Sequence, residues 1–129
     1  MAYLLPTFKA VSLIFAIAAV GTGVQALVDP VGFSTSFGLP LSKTASDNER
    51  SYVSLMGVRQ LATGITLLTF AYQGKWREMA TLLAILGIVV AGTDGIYLSQ
   101  AGKGGLARFH AIPGALIAAL AGAVLYVEI

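Results

Sequence analysis

Residues 78–99 read EMATLLAILGIVVAGTDGIYLS. At 1.5 Å per residue this stretch is long enough to cross about 30 Å of hydrocarbon as a helix. Its only charges are Glu78 at the first position and Asp94 deep inside. Glu78 follows Trp76 and Arg77 and is explained by dipole and interfacial preferences at a helix start. Asp94 has no such excuse, because a carboxylate in hydrocarbon costs several kcal/mol unless it is paired or wetted.

Three further stretches match this one in length and polarity: residues 8–28, 52–71 and 106–126. Pro6 stands just outside the start of the first, and Asp29-Pro30 stops it, because proline disfavours helix at the residue before it. That stretch ends in Val28-Asp29-Pro30 without a small-x-small cleavage site, so it reads as a retained span and not as a signal peptide. Ser46 and Glu49 have capping-box spacing ahead of the second span. Gln73-Gly74-Lys75 breaks that span, and Ala101-Gly102-Lys103-Gly104-Gly105 separates the third from the fourth as a connection outside any helix. The short links make consecutive spans antiparallel.

The expected fold is therefore all-α, an integral membrane four-helix bundle forming a single transmembrane domain over residues 1–129. Its one long connection, residues 29–50, is semi-apolar and aromatic but interrupted by glycine and proline. It is expected to lie as a loop at the membrane interface, either partly covering the mouth of the bundle or serving as a tether with its aromatics at the headgroups. Recurrent small residues, among them Gly57, Gly64, Gly87 and the Gly114, Ala118, Gly122 series, let helices approach closely.

Composition agrees. Of 129 residues 57% are hydrophobic and 11% charged, with mean hydropathy +0.82, whereas charged residues make up about a quarter of a soluble domain. The net charge of +2 comes from scattered basic residues, which excludes a nucleic-acid patch. No cysteine is present, which excludes disulfides, a thiolate nucleophile and a zinc-thiolate site; a single histidine argues against any transition-metal site. Lys9, Lys75 and Arg77 oppose Lys43, Arg50, Lys103 and Arg108 across the membrane, so basic-residue asymmetry assigns no orientation, and no feature assigns which membrane.

The intramembrane polar residues fall in one half. Arg59 lies on the order of 10 Å into the second span, Asp94 on the order of 8 Å from the end of the third and His110 on the order of 6 Å into the fourth. Alternating helix directions bring Gln25, Asp29, Tyr52, Arg59, Asp94, Tyr97, Arg108 and His110 to the same leaflet. Tyr52, Met56, Arg59 and Thr63 share one face of their helix, and Gly87, Val90, Asp94 and Tyr97 one face of theirs. Both stripes can face inward, and an Arg59–Asp94 ion pair is expected. Such a pair either pins helices together or belongs to a pocket between spans two, three and four, with Phe33 or Phe37 near its mouth. In the second case Asp94 serves as base or nucleophile, His110 exchanges protons, and Arg59 binds or polarises an oxygen. Tyr52, Gln25, Asp29, Tyr97 and Met56 are the candidate substrate contacts.

The arrangement Tyr52-x4-Gly57-Val58-Arg59, then Lys75-Trp76-Arg77-Glu78, then Gly92-Thr93-Asp94-Gly95, then His110 with Gly114, resembles the domain of unknown function 4267 family of small integral membrane proteins. The wider pattern is similar to DoxX-like membrane proteins. The resemblance covers nearly the whole chain. It implies roles for Arg59, Asp94-Gly95 and His110, and a lipophilic polyketide or terpenoid substrate.

The expected function is a membrane-embedded acid/base enzyme, a cyclase, isomerase or epoxide-opening hydrolase. It needs no cofactor and no metal, since a buried acid and base suffice. Its partners are a lipophilic small molecule or lipid, the membrane, and a second copy if it forms a homo-oligomer. The alternative is a non-enzymatic scaffold or accessory subunit. A transporter fits poorly, because four spans without an internal repeat provide little path.

Overall fold

A computed structural model describes residues 2–127, so residues 1, 128 and 129 of the expected 1–129 domain lie outside the described residues. Its elements are α1 (Leu4–Val28), α2 (Pro30–Phe37), α3 (Asp47–Tyr72), α4 (Trp76–Gln100) and α5 (Gly104–Val127). Four of them, α1, α3, α4 and α5, are long and apolar enough to cross a membrane. The protein is an all-helical, multi-pass integral membrane protein. Helix is what the solvent demands, since backbone groups in hydrocarbon must find their partners within the segment.

The helices overrun the expected spans at their starts. α1 begins at Leu4 and takes Pro6 into its first turn, where the missing N–H would have had no helical partner. α5 begins at Gly104 and includes two of the three glycines that the sequence assigned to a connection, Gly104 and Gly105. The turn itself is confined to Gly102, whose φ of 77° suits glycine. Gly74 does the same between α3 and α4 at φ 71°. Both links close with the long-range bond of a Schellman turn: Lys75 N–H donates to the Phe70 carbonyl at 2.8 Å, and Lys103 N–H to the Leu98 carbonyl at 2.8 Å. Ahead of α3, Ser46 Oγ accepts from the Glu49 N–H at 3.2 Å, as its capping-box spacing leads one to expect.

The connection after α1 differs from expectation. Residues 30–37 are not loop but the helix α2, and the cause is local. Asp29 caps it, accepting from Gly32 N–H at 2.9 Å. Pro30 occupies its first turn, and Gly38 ends it in the left-handed region at φ 110°. Ser34 Oγ accepts from Leu41 N–H at 2.8 Å, tying the following strand of chain back onto the helix. Phe33 is buried and stacks on Phe37 with ring centroids 6.1 Å apart.

The chain forms two compact units. In the unit Phe15–Leu68, α1 and α3 run antiparallel with their backbones in close approach. A Cβ placed on Gly23 would come 2.6 Å from the Leu61 nitrogen, and one on Gly64 would come 2.8 Å from the Val20 nitrogen. Gln60 Nε2 donates to Thr22 Oγ1 at 3.3 Å, and Ser54 Oγ to the Ala26 carbonyl at 3.4 Å. In the other unit α4 and α5 are antiparallel: Gly87 lies against Gly114 and Ala118, and Gly95 against Ala107 and Ala111. Leu83, Leu98, Ile117 and Val124 are buried. Gly122 meets nothing, so the small-residue series leaves the contact before its last member. At the far end of this unit Lys9 Nζ sits 5.0 Å from the centroid of the Trp76 ring, a cation–π contact.

Gly23 and Gly21 are two positions apart on α1 and should respond oppositely to alanine. Gly23→Ala must push Leu61 and α3 away and should lower stability by about 1–3 kcal/mol. Gly21 has nothing within 4 Å of a Cβ, so Gly21→Ala should keep or raise the melting temperature measured in detergent.

Candidate functional site

On α4, position 94 is one residue before Gly95; on α5, position 110 is one residue before Ala111. A step of one residue turns a helix by about 100°, so Asp94 and His110 both leave the Gly95–Ala111 contact on the same flank of the seam. Both are half-buried, and they interact electrostatically. The Phe109 ring meets the His110 imidazole edge-on at 5.8 Å between centroids. Pro113 lies inside α5 and has no N–H to give the Phe109 carbonyl, which loosens the hydrogen-bond ladder one residue from His110. The α4–α5 pair thus brings together a carboxylate and an imidazole, the two groups needed to take a proton at one place and return it at another.

The remaining candidates are distributed differently. Arg59 belongs to the unit Phe15–Leu68. It is exposed, and its Nη1 donates to the Leu55 carbonyl one turn back on its own helix at 3.0 Å. Tyr52 is 75% exposed, and Met56 is also exposed. The polar stripe of α3 therefore does not pack on α1. The face of Gly57, Gln60 and Gly64 does so, because it is the side of α3 that allows backbones to touch. Tyr97 is exposed on α4, and Gln25 is half-buried on α1. Asp29 has one carboxylate oxygen engaged in capping α2, a role sufficient to explain an acidic residue there.

Sequence reading passed over Gln60 and Thr22, which bond across the α1–α3 seam. The signal was present: Gln60 stands three residues after Gly57 and four before Gly64, on the face those glycines define. Among the described residues no group of three His, Asp or Glu side chains is placed to hold a metal ion.

The chain belongs to the DUF4267 family, a domain of unknown function, whose model matches residues 16–124. That match runs from within α1 to near the end of α5 and includes Arg59, Asp94 and His110. Searches of curated proteins and of solved structures return no match. Membership in the DUF4267 family leaves the chemistry to be argued from the side chains.

If Asp29 serves the cap, Asp29→Asn should hold the stability of the protein while Asp29→Ala loses about 1 kcal/mol. Protection of the Gly32 and Phe33 amides from hydrogen exchange should fall only in the alanine variant.

Proposed function

We propose that the protein is a membrane-embedded, cofactor-independent acid/base enzyme acting on a lipophilic substrate taken from the bilayer: a cyclase, an isomerase or an epoxide-opening hydrolase. One observation carries the reading, the convergence of Asp94 and His110 on one flank of a tightly packed helix pair. Ionisable groups at such depth are kept rarely and usually for function. Packing at Gly87, Gly95 and Gly114 holds the two helices in register, so the two groups are positioned before substrate arrives.

In an isomerisation the Asp94 carboxylate removes a proton from carbon and the His110 imidazolium returns one elsewhere on the same molecule. In an epoxide opening His110 protonates the oxygen as the carbon–oxygen bond breaks. A substrate hydroxyl or a water then bonds to that carbon and yields its proton to Asp94. Both schemes conserve protons over the cycle and use only these two side chains. A polyketide or terpenoid skeleton is the substrate class that the resemblance implies.

A second reading, a non-enzymatic scaffold or accessory subunit, draws on the Gln60–Thr22 and Ser54–Ala26 hydrogen bonds, which show polar groups joining helices in this chain.

Purified Asp94→Asn and His110→Phe proteins separate the two readings. The enzyme reading expects product formation to fall about 100 to 10,000-fold in the Asp94 and His110 variants with melting temperatures nearly kept. Melting temperatures that drop along with everything else the protein does would establish the scaffold reading instead.

A further inference from the structure

The opposite flank of the α4–α5 seam carries a feature that the acid/base reading does not use. An open groove of about 700 Å³ runs along it, within the size range of small-molecule sites. Its deeper part is walled by Gly92, Gly95, Ile96, Ala107 and Ala111, which are apolar or bare backbone. Its outer part is walled by Ser99, Gln100 and Arg108, from the last turn of α4 and the first turns of α5. Polarity thus changes along the groove in the direction of the membrane normal, from hydrocarbon depth to headgroup depth.

The charge at the outer end is of one sign. Arg108 lies about 6 Å from the start of α5, where an arginine side chain extends to the headgroup region. No acidic residue lines the groove, and among the described residues Arg108 has no hydrogen-bond or ion-pair partner. Lys103 in the adjoining link adds a second positive charge at the same end. An open apolar trough ending in an unpaired guanidinium complements one kind of occupant available in a bilayer, an acyl chain joined to an anionic headgroup.

We propose that this groove is a binding site for an anionic phospholipid, with one acyl chain against Gly92, Gly95 and Ala111 and the phosphate at Arg108. The site stands apart from Asp94 and His110 and does not rest on their proposed chemistry.

Two substitutions isolate its parts. Arg108→Gln removes the charge and leaves the trough. Gly92→Leu fills the trough, and its Cβ enters open space, with nothing within 4 Å. Ile96→Trp, at an exposed position on the same wall, is a second occluding variant should the first fail to fold. Binding is read by native mass spectrometry and by thermal stabilisation in uncharged detergent, titrating phosphatidylglycerol against phosphatidylcholine with identical chains.

The wild type is expected to take up phosphatidylglycerol in preference to phosphatidylcholine. Arg108→Gln should weaken phosphatidylglycerol binding about fivefold, the effect of one basic side chain at an anionic surface, while phosphatidylcholine binding persists. The occluding variants should bind neither lipid at this site, and Asp94→Asn should bind as the wild type does. Equal uptake of both lipids by the wild type would overturn the proposal, as would undiminished phosphatidylglycerol binding in the folded occluding variants. So would a halving of particle mass on occlusion, which would make a second copy of the chain the occupant.

Discussion

Two apolar helices in hydrocarbon gain little from meeting each other, because lipid tails are as apolar as leucine. Helix association in this protein therefore depends on how closely backbones can approach. At Gly23, Gly57 and Gly64 in one unit, and at Gly87 and Gly114 in the other, a single added carbon would collide with the neighbouring helix, and at Gly95 it would press tightly on Ala111. The rest of the structure takes its geometry from those contacts. They set which side of each helix is a seam, and hence which polar residues are half-buried and which are left at the surface.

On α4 and α5 the seam separates two chemically different flanks. Asp94 and His110 emerge on one. The other is a trough of glycine and alanine that ends at Arg108. The small residues that permit the close approach also hollow the trough, since a helix pair with little side chain between and beside its backbones leaves a depression along its edge. Catalytic groups on one side and a lipid on the other would share the same rigid support without sharing atoms.

Short-range chemistry governs the polar segments between spans. Asp29, Pro30 and Gly38 act at the first turn, the first position and the end of α2, and together they convert an interrupted, semi-apolar connection into a helix. The sequence expectation of a loop treated proline and glycine as breakers. Here they stand at the two ends, where a breaker defines a helix instead of destroying one.

Span number and the Ser46–Glu49 cap were legible in the sequence alone, because hydropathy and capping are properties of a local stretch whose backbone must satisfy itself. The candidate residues were legible for the same reason: a charge in an apolar run is visible without a fold. Which face of a helix would pack was not legible. On α3 the sequence contains two periodic faces, Tyr52, Met56, Arg59 and Thr63 on one and Gly57, Gln60 and Gly64 on the other, and periodicity ranks neither above its rival. The tertiary structure decided for the glycines, because Val20, Gly23 and Ala26 of α1 allow contact only where the facing helix is equally bare. That choice turned Arg59 toward its own backbone, paired Gln60 with Thr22, and on α4 and α5 placed Asp94 with His110. A seam is a relation between two helices, and neither one's sequence contains it.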